Sequence, residues 1–263
     1  MKIFWHIYTF IKYLALSRSR YKTHSPFVYN FIEGALKGED EPADFNKLKD
    51  YKKKLLKSKT PVETVDFGSG AGSSAYKTFI VEIGKLARKR THSTAQLEDL
   101  YKISRYFKPG TILEMGTATG FSSLYLKKGN PASRVITMEG CAGLANIAQE
   151  NFALNHADDI EIVIGNFDHT LPELLNKLES LDMVFFDGNH KMGPTLNYFE
   201  QCLKLANEGS VFIFDDIHWS KGMTRAWEKI KKHPETAFTI DIYWAGLLFF
   251  KKGFAKQHFI IRY

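Results

Sequence analysis

Cysteine is nearly absent from this sequence: Cys141 and Cys202 are the only two in 263 residues. Two thiols cannot build the disulfide framework of a small secreted domain, so a reducing, cytoplasmic setting is the expectation. An unbroken bilayer-spanning run is missing as well. The aromatic, apolar stretch Met1 to Leu16 is interrupted by Lys12 and falls short of the ~20 apolar residues a spanning helix needs. Ser17-Arg18-Ser19-Arg20 follows it, with no small-residue cleavage site, which argues against a secretory signal peptide. This segment either packs as a helix on the main domain or touches a membrane surface through residues 1–20.

The remaining composition is that of an ordinary folded protein, with 44% hydrophobic and 25% charged residues. The length suits one large α/β domain with a small appendage. The formal net charge is +7, which favours anionic partners, including nucleic acid and acidic lipid. Apart from Lys52-Lys53-Lys54 and Arg88-Lys89-Arg90 the basic residues are dispersed, as on a solvated surface.

Three regions are expected. Residues 1–60 read as a helical cap, broken near Thr23-His24-Ser25-Pro26 and again at Gly38-Glu39-Asp40-Glu41-Pro42. Residues 61–92 read as a glycine-containing connecting or lid segment, with Thr78 to Arg90 helical. From residue 93 the pattern becomes regular. Ser93 and Gln96 form a capping box for a helix ending at Pro109-Gly110. Short apolar runs then alternate with helical stretches: Thr111 to Met115, Arg134 to Met138, Ile160 to Ile164, Asp182 to Phe186 and Val211 to Phe214. This alternation predicts a Rossmann-like, doubly wound α/β sheet of seven strands, mostly parallel. The runs Phe238 to Tyr243, Leu247 to Lys251 and His258 to Arg262 lack intervening helices, so the sheet is expected to end in an antiparallel hairpin.

The chemistry concentrates in Ile112-Leu113-Glu114-Met115-Gly116-Thr117-Ala118-Thr119-Gly120-Phe121-Ser122. A strand enters a glycine turn and a helix begins, which puts a ligand at the strand's carboxyl end. The next strand ends at Met138-Glu139-Gly140, with its carboxylate about twenty residues beyond the glycines, where such folds hold ribose hydroxyls. The spacing is G-x-x-x-G preceded by an acid, not the G-x-G-x-x-G of a dinucleotide site. An acid there repels pyrophosphate but suits a sulfonium and an ammonium group, which favours S-adenosylmethionine. A second glycine cluster, Gly68-Ser69-Gly70-Ala71-Gly72, has no following strand with a terminal acid and is expected to be a loop.

From residue 93 onward the sequence resembles the class I S-adenosylmethionine-dependent methyltransferases, whose first motif is E-x-G-x-x-x-G. The resemblance implies that Gly116, Thr117, Ala118, Gly120 and Ser122 line the methionine part and that Glu114 lies near its amino group. It further implies that Glu139 and Gly140 meet the ribose and that Asn166 and Phe167 meet the adenine. Phe186-Asp187-Gly188-Asn189-His190-Lys191 and Phe214-Asp215-Asp216-Ile217-His218-Trp219 are similar to the catechol- and caffeoyl-CoA-type O-methyltransferases. That likeness implies a divalent cation such as Mg²⁺ on Asp187, Asp215 and Asp216, with Asp187 bordering the cofactor as well. Asp216 replaces the family's usual asparagine, and His190, followed by Lys191, stands where the family has a catalytic lysine. Either of these two is expected to take the acceptor's proton. His218 and Trp219 either line the acceptor pocket or pack.

The expected activity is methyl transfer to an oxygen of a small-molecule acceptor. Strand four lacks the Asn/Asp-Pro-Pro-aromatic motif of base-modifying enzymes, which demotes nucleic-acid bases as acceptors. RNA methylation, supported by the net charge, and a non-catalytic cofactor-binding or membrane-surface role are the alternatives. The sequence carries no signal for oligomeric state.

Overall fold

The computed structural model describes residues 2–19, 25–38, 45–66, 77–250, 253 and 256–263. The first elements are α1 (Lys2–Leu16), α2 (Pro26–Phe31) running into a π-helical turn (Ile32–Leu36), α3 (Phe45–Leu55), β1 (Pro61–Asp66), β2 (Lys77–Glu82), α4 (Ile83–Arg90) and α5 (Thr94–Phe107). The alternating part follows as β3 (Thr111–Met115), α6 (Phe121–Gly129), β4 (Arg134–Glu139), α7 (Ala142–Leu154), β5 (Glu161–Ile164) and α8 (Phe167–Leu175). It continues with β6 (Leu181–Phe186), α9 (Met192–Leu203), β7 (Ala206–Asp215), α10 (Lys221–Lys232), β8 (Phe238–Asp241), β9 (Ala245–Phe249) and β10 (Gln257–Ile260).

The chain divides into two compact units. One comprises Met1–Lys37, Pro109–Met115 and Leu171–Tyr263; the other comprises Gly38–Lys108 and Gly116–Thr170.

In the first unit the strands run in the order β10-β8-β9-β7-β6-β3. β3, β6 and β7 are mutually parallel, and α9 makes the crossover between β6 and β7. The runs Met183-Val184-Phe185-Phe186 and Val211-Phe212-Ile213-Phe214 are apolar without alternation because helices cover both faces of a parallel sheet. Phe186 and Phe214 stack at 4.4 Å between ring centroids. β9 runs antiparallel to both β7 and β8, so the expected terminal hairpin is β8–β9. The third β-rich run adds a strand beyond the seven expected: β10 lies parallel beside β8. Its backbone is engaged in turn by Arg18, whose N–H donates to Ile260 O at 2.8 Å, which covers part of an otherwise open edge.

A glycine in β9 is required by packing. A Cβ at Gly246 would come within 2.6 Å of the Trp227 ring, which is fully buried against Phe214. We expect Gly246→Ala to lose about 1–3 kcal/mol of stability through overpacking, read as a lowered midpoint in thermal unfolding. An unchanged midpoint would show that the ring yields freely.

In the second unit β4, α7 and β5 form a further parallel βαβ piece, and α5 packs along α6. The capping box at Ser93 is present: its side chain accepts from Gln96 N, and Gln96 Oε1 accepts from Ser93 N. One expectation fails here. Thr78 to Glu82 is strand, not helix, and pairs antiparallel with β1 from Pro61↔Glu82 to Asp66↔Lys77. The physical reason is the run Thr78-Phe79-Ile80-Val81, β-branched and aromatic, which favours a pleated surface over a helix. Only Ile83–Arg90 is helical. The glycine stretch Gly68 to Gly72 lies outside the described residues, as do Glu39 to Pro42, Thr23 and His24.

Candidate active site

The glycine turn belongs to the second unit and is held by β4. Gly116 N and Thr117 N both donate to Met138 O, at 2.9 and 3.1 Å. Below them the buried hydroxyls of Thr117 and Thr137 meet at 2.6 Å. Gly116 and Gly120 have φ of 107° and 81°, in the left-handed region that a side chain disfavours. Gly120 also has no space for one, since its Cβ would meet Phe152 Cε1 at 2.7 Å. Ala118 takes a positive φ of 46° without being glycine, the kind of strain that clusters at ligand sites. Gly120 is the N-cap of α6 and offers no side chain to its first N–H groups, which include that of the buried Ser122.

Glu139 organises this turn. Its Oε2 accepts from Ala118 N at 2.8 Å and its Oε1 from Cys141 N at 2.9 Å. Burial raises its pKa above the usual carboxylate value, against the lowering effect of those backbone donors and of Arg90. Each carboxylate oxygen keeps a further lone pair for a ligand hydroxyl. Gly140 is half-buried beside it. Asn166 and Phe167, both half-buried, start α8, where Asn166 Oδ1 accepts from Asp168 N at 2.9 Å. Thus Asn166 is a helix cap in this state.

Sequence reading missed Asn151 and Thr91. Asn151, fully buried on α7, donates to Thr119 O at 2.6 Å, while its Oδ1 has no hydrogen-bond partner among the described residues. Thr91 and Thr119 share a hydroxyl contact at 3.0 Å. Asn151 had a signal: it shares a helical face with Leu144, Ala148 and Phe152, where an amide is out of place unless it serves the backbone.

The acids belong to the first unit. Glu114 is fully buried in β3, in register with Phe185 of β6. Asp187 follows β6, with its N–H on Met115 O at 2.9 Å. Asp215 ends β7, and Asp216 turns the chain with φ 54° while donating its N–H to Trp244 O at 2.9 Å. The pKa of Asp187 is raised well above the usual carboxylate value, first by burial, then by the charge and hydrogen bond of Asp215, then by Glu114 and Asp216. Four carboxylates therefore converge.

His190 faces them. Its Nε2 lies 3.7 Å from Asp187 Oδ1 and 4.0 Å from Asp216 Oδ2. The ligand atoms of His190, Asp215 and Asp216 all lie within 4.8 Å of one another. Lys191 is exposed at the N-cap of α9. His218 Nε2 meets Asp241 Oδ2 at 2.8 Å and its ring stacks on Tyr243, while Trp219 is exposed, with its ring 5.0 Å from that of His6.

Residues 113–217, which span β3 to just past β7, match a family described as a methyltransferase domain. A catechol O-methyltransferase of Mycobacterium tuberculosis is 33% identical over 108 residues, 40% of this chain and 47% of that protein. An O-methyltransferase of Aspergillus flavus is 30% identical over 111 residues, 40% of this chain and 44% of that one. The matched region thus spans less than half the length of either curated relative. Among solved structures, an O-methyltransferase from Bacillus cereus in complex with SAH is 25% identical with a TM-score of 0.53, covering 61% of this chain and 83% of that one. Residues 113–217 are therefore similar to a methyltransferase domain and to the catechol-type O-methyltransferases, with a fold like that of the solved O-methyltransferase.

Proposed function

We propose that the chain is an S-adenosylmethionine-dependent methyltransferase that alkylates an oxygen of a small-molecule acceptor with the help of a divalent cation. One observation carries this reading: Glu139 at the end of β4 clamps the strained glycine turn through Ala118 N and Cys141 N. The turn fits the cofactor because Gly120 has no room for a Cβ, Ala118 is strained, and the buried Asn151 Oδ1 is left without a partner. In this assignment Gly116, Thr117, Ala118 and Gly120 hold the methionine part, and Glu139 holds the ribose hydroxyls. Asn166 and Phe167, in the same unit, complete the set implied by resemblance.

The donor chemistry of the acid cluster also fits a cation. Asp187, Asp215 and Asp216 offer hard oxygen ligands, as Mg²⁺ prefers. His190 Nε2 lies near them, 3.7 Å from Asp187 Oδ1 and 4.0 Å from Asp216 Oδ2, at the distance of a base beside the cation rather than in its ligand set. When bound, S-adenosylmethionine supplies an electrophilic methyl group and the cation lowers the pKa of an acceptor hydroxyl. The chain's own residues then do three things. Asp187, Asp215 and Asp216 orient the acceptor oxygen, the partly exposed cluster leaves the acceptor a way in from solvent, and His190 takes the departing proton at Nε2. Its position beside two carboxylates favours it over the exposed Lys191.

The test is calorimetric titration of S-adenosylhomocysteine into the full chain, with and without Mg²⁺ or Mn²⁺. We expect micromolar binding to the wild type. No detectable heat over a range of temperatures would remove the cofactor assignment and with it the enzymatic reading.

A further inference from the structure

Helix α1 has two faces of different fate. Trp5, His6, Thr9 and Tyr13 fasten it to the first unit. Trp5 Nε1 donates to His218 O at 3.1 Å, the Tyr13 hydroxyl donates to Ile261 O, and Tyr243 Oη donates to His6 O at 3.4 Å. On the opposite side Phe4, Ile7, Tyr8, Ile11 and Leu14 recur at three- and four-residue spacing within an arc of about 120°. All five are exposed, Phe4 at 78% and Ile11 at 60%. Packing the helix therefore leaves a continuous stripe of large apolar side chains facing outward, more than a folded surface normally carries.

The charge of the N-terminal segment has one sign. Lys2, Lys12, Arg18, Arg20 and Lys22 precede the first acidic residue of the sequence, Glu33. Lys12 and Arg18 are exposed, with Lys12 at the margin of the stripe. No helix among the described residues is long and apolar enough to cross a membrane, and the stripe covers one side of α1, the pattern of a helix that lies in the interface plane. A second copy of the chain is the poorer occupant. A symmetric pairing would set this basic helix against itself, with no acid within the same segment to neutralise it.

We propose that α1 docks the protein on an anionic lipid surface, its apolar stripe seated at the headgroup boundary and Lys12 and Arg18 on lipid phosphates. The anchoring contacts give the docking a consequence. Trp5 and His6 meet His218 and Trp219, just beyond Asp216, so the surface-bound protein holds that loop across α1 from the lipid, about 10 Å away.

The experiment is co-sedimentation of the full chain with phosphatidylcholine vesicles, with and without phosphatidylglycerol, at low and high salt. Wild-type protein should bind the anionic vesicles and release them as salt rises. Ile7→Glu with Ile11→Glu, both at exposed positions, should weaken binding by about tenfold or more with an unchanged circular dichroism spectrum. Lys12→Glu with Arg18→Glu should do the same, because each basic residue near such a surface strengthens binding about fivefold. Equal binding by wild type and both variants would overturn the proposal, as would no binding to either vesicle. So would a wild-type dimer, monomeric as Ile7→Glu/Ile11→Glu in sedimentation equilibrium and indifferent to vesicles, which would assign the stripe to a second copy.

Discussion

Asp187→Asn should yield a protein that is more stable than the wild type in the absence of metal, yet no longer responds to divalent cations. Asp187 sits buried among Asp215, Glu114 and Asp216, and its native pKa lies well above that of the unfolded chain. Between those two values the folded state binds more protons than the unfolded state. Stability is therefore undiminished below the ordinary Asp value near ~4, and falls as pH rises from there through the raised native value. Asparagine cannot ionise, so the variant escapes this decline. The expected result is a higher unfolding midpoint above the window and little change at pH ~4. Mg²⁺ or Mn²⁺ should raise the wild-type midpoint, because a cation offsets the same repulsion, and should leave the variant unmoved. Any metal-dependent methyl transfer should fall by roughly 10²–10³ in the variant. A wild-type midpoint indifferent to divalent ions, together with a variant no more stable at neutral pH, would remove the metal assignment.

The acid cluster was legible residue by residue, because strand ends in an α/β fold are where side chains gather. Asp187 and Asp215 each follow an unbroken apolar run, with Asp216 next in sequence, and the runs fixed their positions. The relative placement of His190 and Lys191 needed the backbone. Asn189 turns with φ 53°, and it is His190 Nε2 that approaches the carboxylates while Lys191 begins α9 in the exposed. The glycine turn was equally readable, since Gly116 and Gly120 mark positive φ directly in the sequence. Ala118, with the same sign of φ, carries no such mark.

What stayed hidden depends on pairing between distant segments. The hairpin β1–β2 was obscured because Thr78 to Val81 runs without a break into the basic helical residues Lys85 to Arg90, and composition gives no boundary there. β10 was visible as a β-rich run, but its place beside β8 is a parallel return that no local signal specifies. The N-terminal segment was left between core and membrane surface. α1 has one anchored face and one exposed apolar face, which periodicity shows only once the anchoring partners Tyr243 and Ile261 are known.

Glu139→Ala should be the most damaging single change in the second unit, and for two separable reasons. Its carboxylate satisfies Ala118 N and Cys141 N, one on the glycine turn and one at the N-cap of α7. Alanine leaves both donors without their acceptor, and each such loss costs about 1–3 kcal/mol when buried. Cys141 is buried, and Ala118 is held at a positive φ that the hydrogen bond helps to maintain. The turn should therefore relax, with a stability loss of about 2–4 kcal/mol. Cofactor affinity should fall by ~100-fold or more, because the ribose loses its acceptor and the turn its shape at once. Glu139→Gln separates the two effects. One amide oxygen still accepts, so folding should be mostly preserved, but the amide nitrogen confronts the remaining N–H and turns a donor toward the ligand. Its affinity should fall nearly as far as in Glu139→Ala, while its unfolding midpoint stays much closer to that of the wild type. Calorimetry and thermal unfolding on both variants decide the matter. If Glu139→Gln binds S-adenosylhomocysteine as tightly as the wild type, Glu139 is a structural clamp alone and the ribose is held elsewhere.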